Sequence, residues 1–128
     1  MTDTLKDQDI VIVSAKRTPM GAFQGALAAL KAPQLGGFVI ESAVKAASLS
    51  ASDVDEVIMG CVLSAGLGQA PARQAAIYGG ISPSTSCTTV NKVCGSGMKA
   101  IMLAYDQIRV NNAHIMVAGG MESMTNAP

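Results

Sequence analysis

Apolar positions along this chain fall into two patterns. Four compact runs rich in β-branched and aliphatic residues read as strands: Ile10–Val13, Val57–Leu63, Cys87–Val93 and Ile115–Ala118. Between them, apolar residues recur every three or four positions, as they do on one face of a helix. From Pro33 to Ser48 the recurring set is Leu35, Val39, Ala43, Val44 and Ala47. Pro33 suits the first turn, where its missing N–H has no partner to lose. The Gly36-Gly37 pair opposes helix propensity and predicts close packing against a neighbour. Ala72 to Tyr78 predicts a short helix. The stretch after Cys94 predicts a long one, with Met98, Ile101, Met102, Tyr105 and Ile108 in a stripe widened by Ala100, Leu103 and Ala104. Lys99, Asp106, Gln107 and Arg109 leave that helix a narrow polar face, so it is expected to be mostly buried. Asn111-Asn112 is expected to close it in a left-handed cap.

Pro and Gly mark the connections at Ser14–Gly21 and Gly66–Pro71, and Ser50–Asp53 reads as a turn. Strands alternating with helices predict an α/β fold: a mainly parallel sheet joined by three βαβ crossovers. In such sheets binding sites lie beyond the carboxyl ends of the strands. Cys94 and the loop Gly119-Gly120-Met121-Glu122 both fall there. Nothing after the fourth run supplies a closing strand or a second domain, so the sheet is expected to be incomplete.

Composition narrows the function. Hydrophobic residues make up 49% of the chain, with no Trp and only two Tyr and two Phe, which suits an aliphatic buried sheet and lacks the aromatic platforms of single-stranded nucleic-acid binders. Nine basic residues balance nine acidic ones with no run of either sign, which argues against nucleic acid or an anionic membrane as partner. The apolar runs are too short to span a bilayer. Met1–Asp7 lacks the pattern of a signal or transit peptide, so a cytoplasmic location is expected. Cysteines are three, with no C-x-x-C pair and with the single His114 distant in sequence, so neither a disulfide framework nor a metal site is expected.

Of the cysteines, Cys94 stands apart. It follows a strand-like run and precedes Gly95-Ser96-Gly97 and the long helix. A thiol at a helix N-terminus meets the positive end of the dipole and unpaired backbone N–H groups, which favour the nucleophilic thiolate. The same donors are placed to hold an oxyanion in acyl transfer. The plainer alternative is a small buried hydrophobe, and that reading is given to Cys61 and Cys87. A competing motif overlaps the site: Gly95, Gly97 and Ala100 satisfy G-x-G-x-x-A between a strand and a helix, with Glu122 beyond the next strand, in outline a dinucleotide-binding fingerprint. No G-x-x-x-x-G-K-[ST] phosphate loop occurs. His114 reads as a surface residue ahead of the fourth run, Glu122 as an acid or base or, more simply, a solvated loop carboxylate, and the methionines as core filler.

NKVCGSGMKA (91–100) resembles the nucleophile signature of the thiolases, the acetyl-CoA acetyltransferase family. Three further segments agree in order and spacing: SAKRTPMGAFQGAL (14–27), VLSAGLGQAPARQAA (62–76) and GGMESMTNAP (119–128). The resemblance implies the N-terminal portion of a thiolase: residues 1–122 as its incomplete α/β domain, and 123–128 as the start of a coenzyme A-contacting loop domain. It implies that Cys94 takes an acyl group from an acyl-CoA as a thioester, which a deprotonated acetyl-CoA then attacks to give acetoacetyl-CoA, or the reverse. It implies coenzyme A thioesters as substrates, no tightly bound cofactor, and a complete protein that forms dimers or tetramers. In the family the catalytic His, an Asn and a second Cys lie in later sequence, so only Cys94 carries over and this chain alone is expected not to turn over. A nucleotide-binding module and a non-catalytic interaction subunit are the alternative functions.

Overall fold

The computed structural model describes residues 9–128. The reading of Met1–Asp7 as free of a leader therefore lies outside the described residues. Strand β1, Glu56–Gly60, is central; it pairs in parallel with β2, Ser86–Val90, on one side and β3, Met116–Gly120, on the other. Helix α1 spans Ala32–Ala46, α2 Pro71–Tyr78 and α3 Ser96–Arg109. The α/β class and the parallel sheet follow the alternation in the sequence.

Alternation along β1 divides the two sides of the sheet. Val57 and Met59, with Cys61 just beyond, join the core built with α1 and α2. Gly60 faces α3: a Cβ there would lie 2.5 Å from the Ser96 carbonyl carbon. Because both faces are covered, the strand reads as one unbroken apolar run.

Gly37 bears out the close packing expected of the Gly pair. A Cβ on it would stand 2.4 Å from Cβ of Tyr78, so α1 and α2 approach closer than any side chain at that position allows. Asp55 fixes the opposite end of the sheet. Its Oδ2 accepts from the N–H groups of His114 (2.7 Å) and Ile115 (3.0 Å), and these bonds hold its carboxyl below the usual carboxylate range.

Three expectations are corrected. Ile10–Val13 forms no strand; residues 9–22 run without regular structure, and Ile12 is 78% exposed. Branched side chains favour a strand only where an edge offers hydrogen bonds, and this run pairs with none among the described residues. The sheet thus has three strands and two crossovers there, not four and three. Second, α3 is not mostly buried. It sets its small residues Ser96, Ala100 and Ala104 on the sheet, and leaves Met98, Ile101, Met102 and Tyr105 exposed. Apolarity alone does not say which face packs; the narrow space over a glycine-rich sheet end selects the alanines. Third, the strands after Val57 and Cys87 stop earlier than their apolar runs, at Gly60 and Val90. The left-handed close of α3 is as expected, with Asn111 at φ 58° and its N–H bonded to Ile108 O.

Candidate active site

All three strands end together: Gly60 is in register with Val90 on one side and Gly120 on the other. Helix α3 starts directly against this edge. Glycines make the contact possible, since a Cβ on Gly60 would meet Gly97 N at 2.7 Å and one on Gly120 would meet Gly97 Cα at 3.2 Å. Gly97, the second glycine of the dinucleotide-like motif, is therefore occupied in helix-on-sheet packing. Gly95 sits at φ −90°, an angle open to any residue. Between the strand ends and the helix start lies a cavity of about 560 Å³, walled by Cys61, Leu63, Cys94, Met121 and Glu122 among others. Cys94 is exposed at its wall, whereas Cys61 is buried and Cys87 half-buried; all three are free thiols.

The turn that presents Cys94 is unusual. Val93 has φ 49°, the left-handed region, where a β-branched side chain is a true outlier and the strain costs about 1–3 kcal/mol. Two side chains hold it. The Val93 N–H donates to Asn91 Oδ1 at 2.9 Å, and Ser96 Oγ donates to Val93 O at 2.6 Å while accepting from Lys92 N at 2.8 Å. The backbone N–H groups of Gly95 and Ser96 are bonded within the turn, to Lys92 O and Val93 O. They are not the open donors that the sequence led us to expect. The turn is knit more tightly, because the chain reverses within four residues and must satisfy its own backbone.

Glu122 is more than a solvated carboxylate. It accepts the N–H of Val62 (2.9 Å) and of Leu63 (3.0 Å), tying the loop after β1 to the loop after β3. The Cys61 thiol donates to the same carboxylate at 3.8 Å. Burial first, then the negative Glu122, pushes the Cys61 thiol up to about 11 from its usual 9.0. Burial also raises Cys87. Two results are expected. At mildly alkaline pH an alkylating reagent will label Cys94 well ahead of Cys61 and Cys87, as peptide mapping will show. The folded chain also keeps the Cys61 proton where the unfolded chain loses it, so that contribution to stability is complete below pH 9.0 and is lost as pH rises toward about 11. Denaturation of Cys61→Ala across that window should show a shallower decline.

His114 lies just before β3, at the opposite end of the parallel sheet from Cys94. Five-residue strands separate the two ends by roughly 15 Å. The sequence placed it correctly as exposed and remote. The sequence reading overlooked Asn91, Ser96 and the anchoring role of Glu122. Asn two residues before a strained position, and Ser in the first turn of a helix, are both known local hydrogen-bonding placements and were the available signals.

The remaining motifs also meet here. Gln24 N–H donates to Thr125 Oγ1 at 2.8 Å, and Asn126 Nδ2 donates to the carbonyls of Ala28 (3.0 Å) and Leu30 (2.9 Å). The opening loop and the chain after Glu122 are thus stitched together beside the Cys94 cavity.

Comparison with known proteins decides the family. The model of "Thiolase, N-terminal domain" matches residues 10–128. This chain belongs to the thiolase family. Acetyl-CoA acetyltransferase 2 of Arabidopsis thaliana is 52% identical over 127 residues, which are 99% of this chain and 32% of that protein. Acetyl-CoA acetyltransferase of Schizosaccharomyces pombe is 56% identical over 120 residues, covering 94% and 30%. In structure the chain matches the Acat5 thiolase of Ascaris suum, solved in complex with coenzyme A, with TM-score 0.89 and 49% identity over 91% of this chain and 31% of that one. The chain therefore spans about a third of the length of these relatives. In this thiolase domain the four motifs read from the sequence converge on one end of the sheet: the nucleophile-like turn, the loop held by Glu122, and the two stitched loops beside them.

Proposed function

We propose that this thiolase domain takes part in acyl transfer between coenzyme A thioesters, with Cys94 as the acyl acceptor. The observation that carries the reading is the exposed Cys94 thiol at the start of α3, facing a cavity at the carboxyl ends of three parallel strands. The names of the relatives and the coenzyme A in the Ascaris structure support it. The Cys94 sulfur attacks the thioester carbonyl, the bond from that carbon to the coenzyme A sulfur breaks, and coenzyme A leaves with the proton that the Cys94 thiol gave up. Carbon–carbon bond formation then needs a base to remove an α-proton from a second acetyl-CoA.

Around the Cys94 cavity the described residues offer no free base. Cys61 holds its proton to about pH 11, both Glu122 oxygens accept backbone N–H groups, and His114 is at the far end of the sheet. The chain by itself is therefore expected to stop after the first half-reaction. Mixed with acetyl-CoA, it should release about one equivalent of coenzyme A per chain and then halt, while Cys94→Ser releases none. Sustained cleavage of acetoacetyl-CoA by the purified chain would contradict the halted cycle, and release by the serine variant would contradict the role of Cys94.

Assembly into dimers or tetramers belongs to the same proposal. Ile12, Phe23, Met98 and Tyr105 are among the large apolar side chains left exposed, surface that association would cover. Light scattering should report association; a monodisperse monomer at working concentration would contradict it.

A further inference from the structure

Why would a fold place valine, of all residues, at a left-handed φ beside its exposed thiol? A position left free to relax would return Val93 to a negative φ and turn the next residue with it. Three bonds oppose that relaxation. Asn91 Oδ1 accepts the Val93 N–H at 2.9 Å, and Ser96 Oγ reaches back to Val93 O at 2.6 Å and accepts Lys92 N at 2.8 Å. Ser96 is 5% exposed, so its hydroxyl is fixed by packing and not by water. Asn91 is anchored in turn, with Nδ2 donating to Val62 O at 3.5 Å, and the N–H of that same Val62 donates to Glu122. The chain of contacts runs from the loop after β3, through the loop after β1, to the residue before Cys94.

We infer that Asn91 and Ser96 are positioning residues that hold Val93 in the left-handed region and thereby keep the Cys94 thiol at the α3 N-terminus, facing the cavity. The inference gains its functional meaning from the acyl-acceptor reading of Cys94, but the geometry can be tested without coenzyme A. Neither side chain needs to touch the substrate; each acts through the backbone angle at position 93.

The test follows alkylation of Cys94 by iodoacetamide in the whole chain, read by peptide mass. Asn91→Ala and Ser96→Ala should each slow it roughly fivefold, as the thiol swings away from the helix end. Adding Val93→Gly to either variant should restore the rate, because glycine takes a positive φ without steric penalty. Asn91→Asp keeps the acceptor for the Val93 N–H but loses the donor to Val62 O, so it should slow alkylation less than Asn91→Ala does. Unchanged rates in both alanine variants would overturn the inference, and so would a loss that Val93→Gly does not repair. Should Ser96→Ala fail to fold, judged by circular dichroism, the exposed Asn91 position carries the test through the same rescue. Acetyl-CoA labelling in parallel separates the two readings: an intact alkylation pattern with no acetyl transfer to the parent chain would leave the positioning role standing and remove the acyl-acceptor reading.

Discussion

Replacing Gly60 with valine should destabilise this domain by about 3 kcal/mol. Even the first added carbon would lie 2.5 Å from the Ser96 carbonyl carbon and 2.7 Å from Gly97 N. These are backbone atoms of the first turn of α3, so no side chain is able to rotate aside. The helix has to move off the sheet, and Cys94 moves with it. Urea denaturation should show the loss, and alkylation of Cys94 should lose its advantage over the other thiols. Gly60→Ala should act in the same direction with a smaller effect. An unaltered denaturation midpoint for the valine variant would mean that the strand end and helix start are not in contact as described.

Glu122→Ala should cost about 2–4 kcal/mol, because two part-buried backbone donors, Val62 N–H and Leu63 N–H, lose their charged acceptor at once. Alanine leaves the donors with nothing of suitable length to replace it. Glu122→Gln retains one acceptor oxygen but sets an amide donor against the second N–H, so it should recover only part of the loss. Amide hydrogen exchange provides the specific readout. Val62 and Leu63 should exchange much faster in the alanine variant, while residues in the α1–α2 core change only as global stability does. Faster exchange throughout, with no excess at those two amides, would contradict a local anchor.

Much of the fold was legible because each pattern had one physical meaning. The run around Val57–Gly60 is apolar without a break because both faces of β1 are covered. Gly36-Gly37 inside an otherwise good helix signalled the close approach that Tyr78 makes. Ile10–Val13 was misread for an equally physical reason: strand character in the side chains does not supply a hydrogen-bonding partner. The α3 stripe was misread because the sheet end accommodates alanines better than the larger residues that periodicity favours. At the site, the place of Cys94 between strand and helix was readable from its neighbours. The hold of Asn91 and Ser96 on Val93 is local, made across two to four residues, and was open to a reader who looked for side-chain bonds in the turn. The anchoring by Glu122 joins residues 59 to 61 positions apart, and no local pattern encodes that.

The most direct test of the account is to find where an acetyl group goes. The chain is incubated with acetyl-CoA, its intact mass is measured, and the modified peptide is sequenced by mass spectrometry before and after hydroxylamine, which cleaves thioesters under mild conditions. The account predicts a single acetyl group on the peptide containing Cys94, removed by hydroxylamine and absent from Cys94→Ser. No acetylation of that peptide, or an acetyl group that persists in the serine variant, would contradict it.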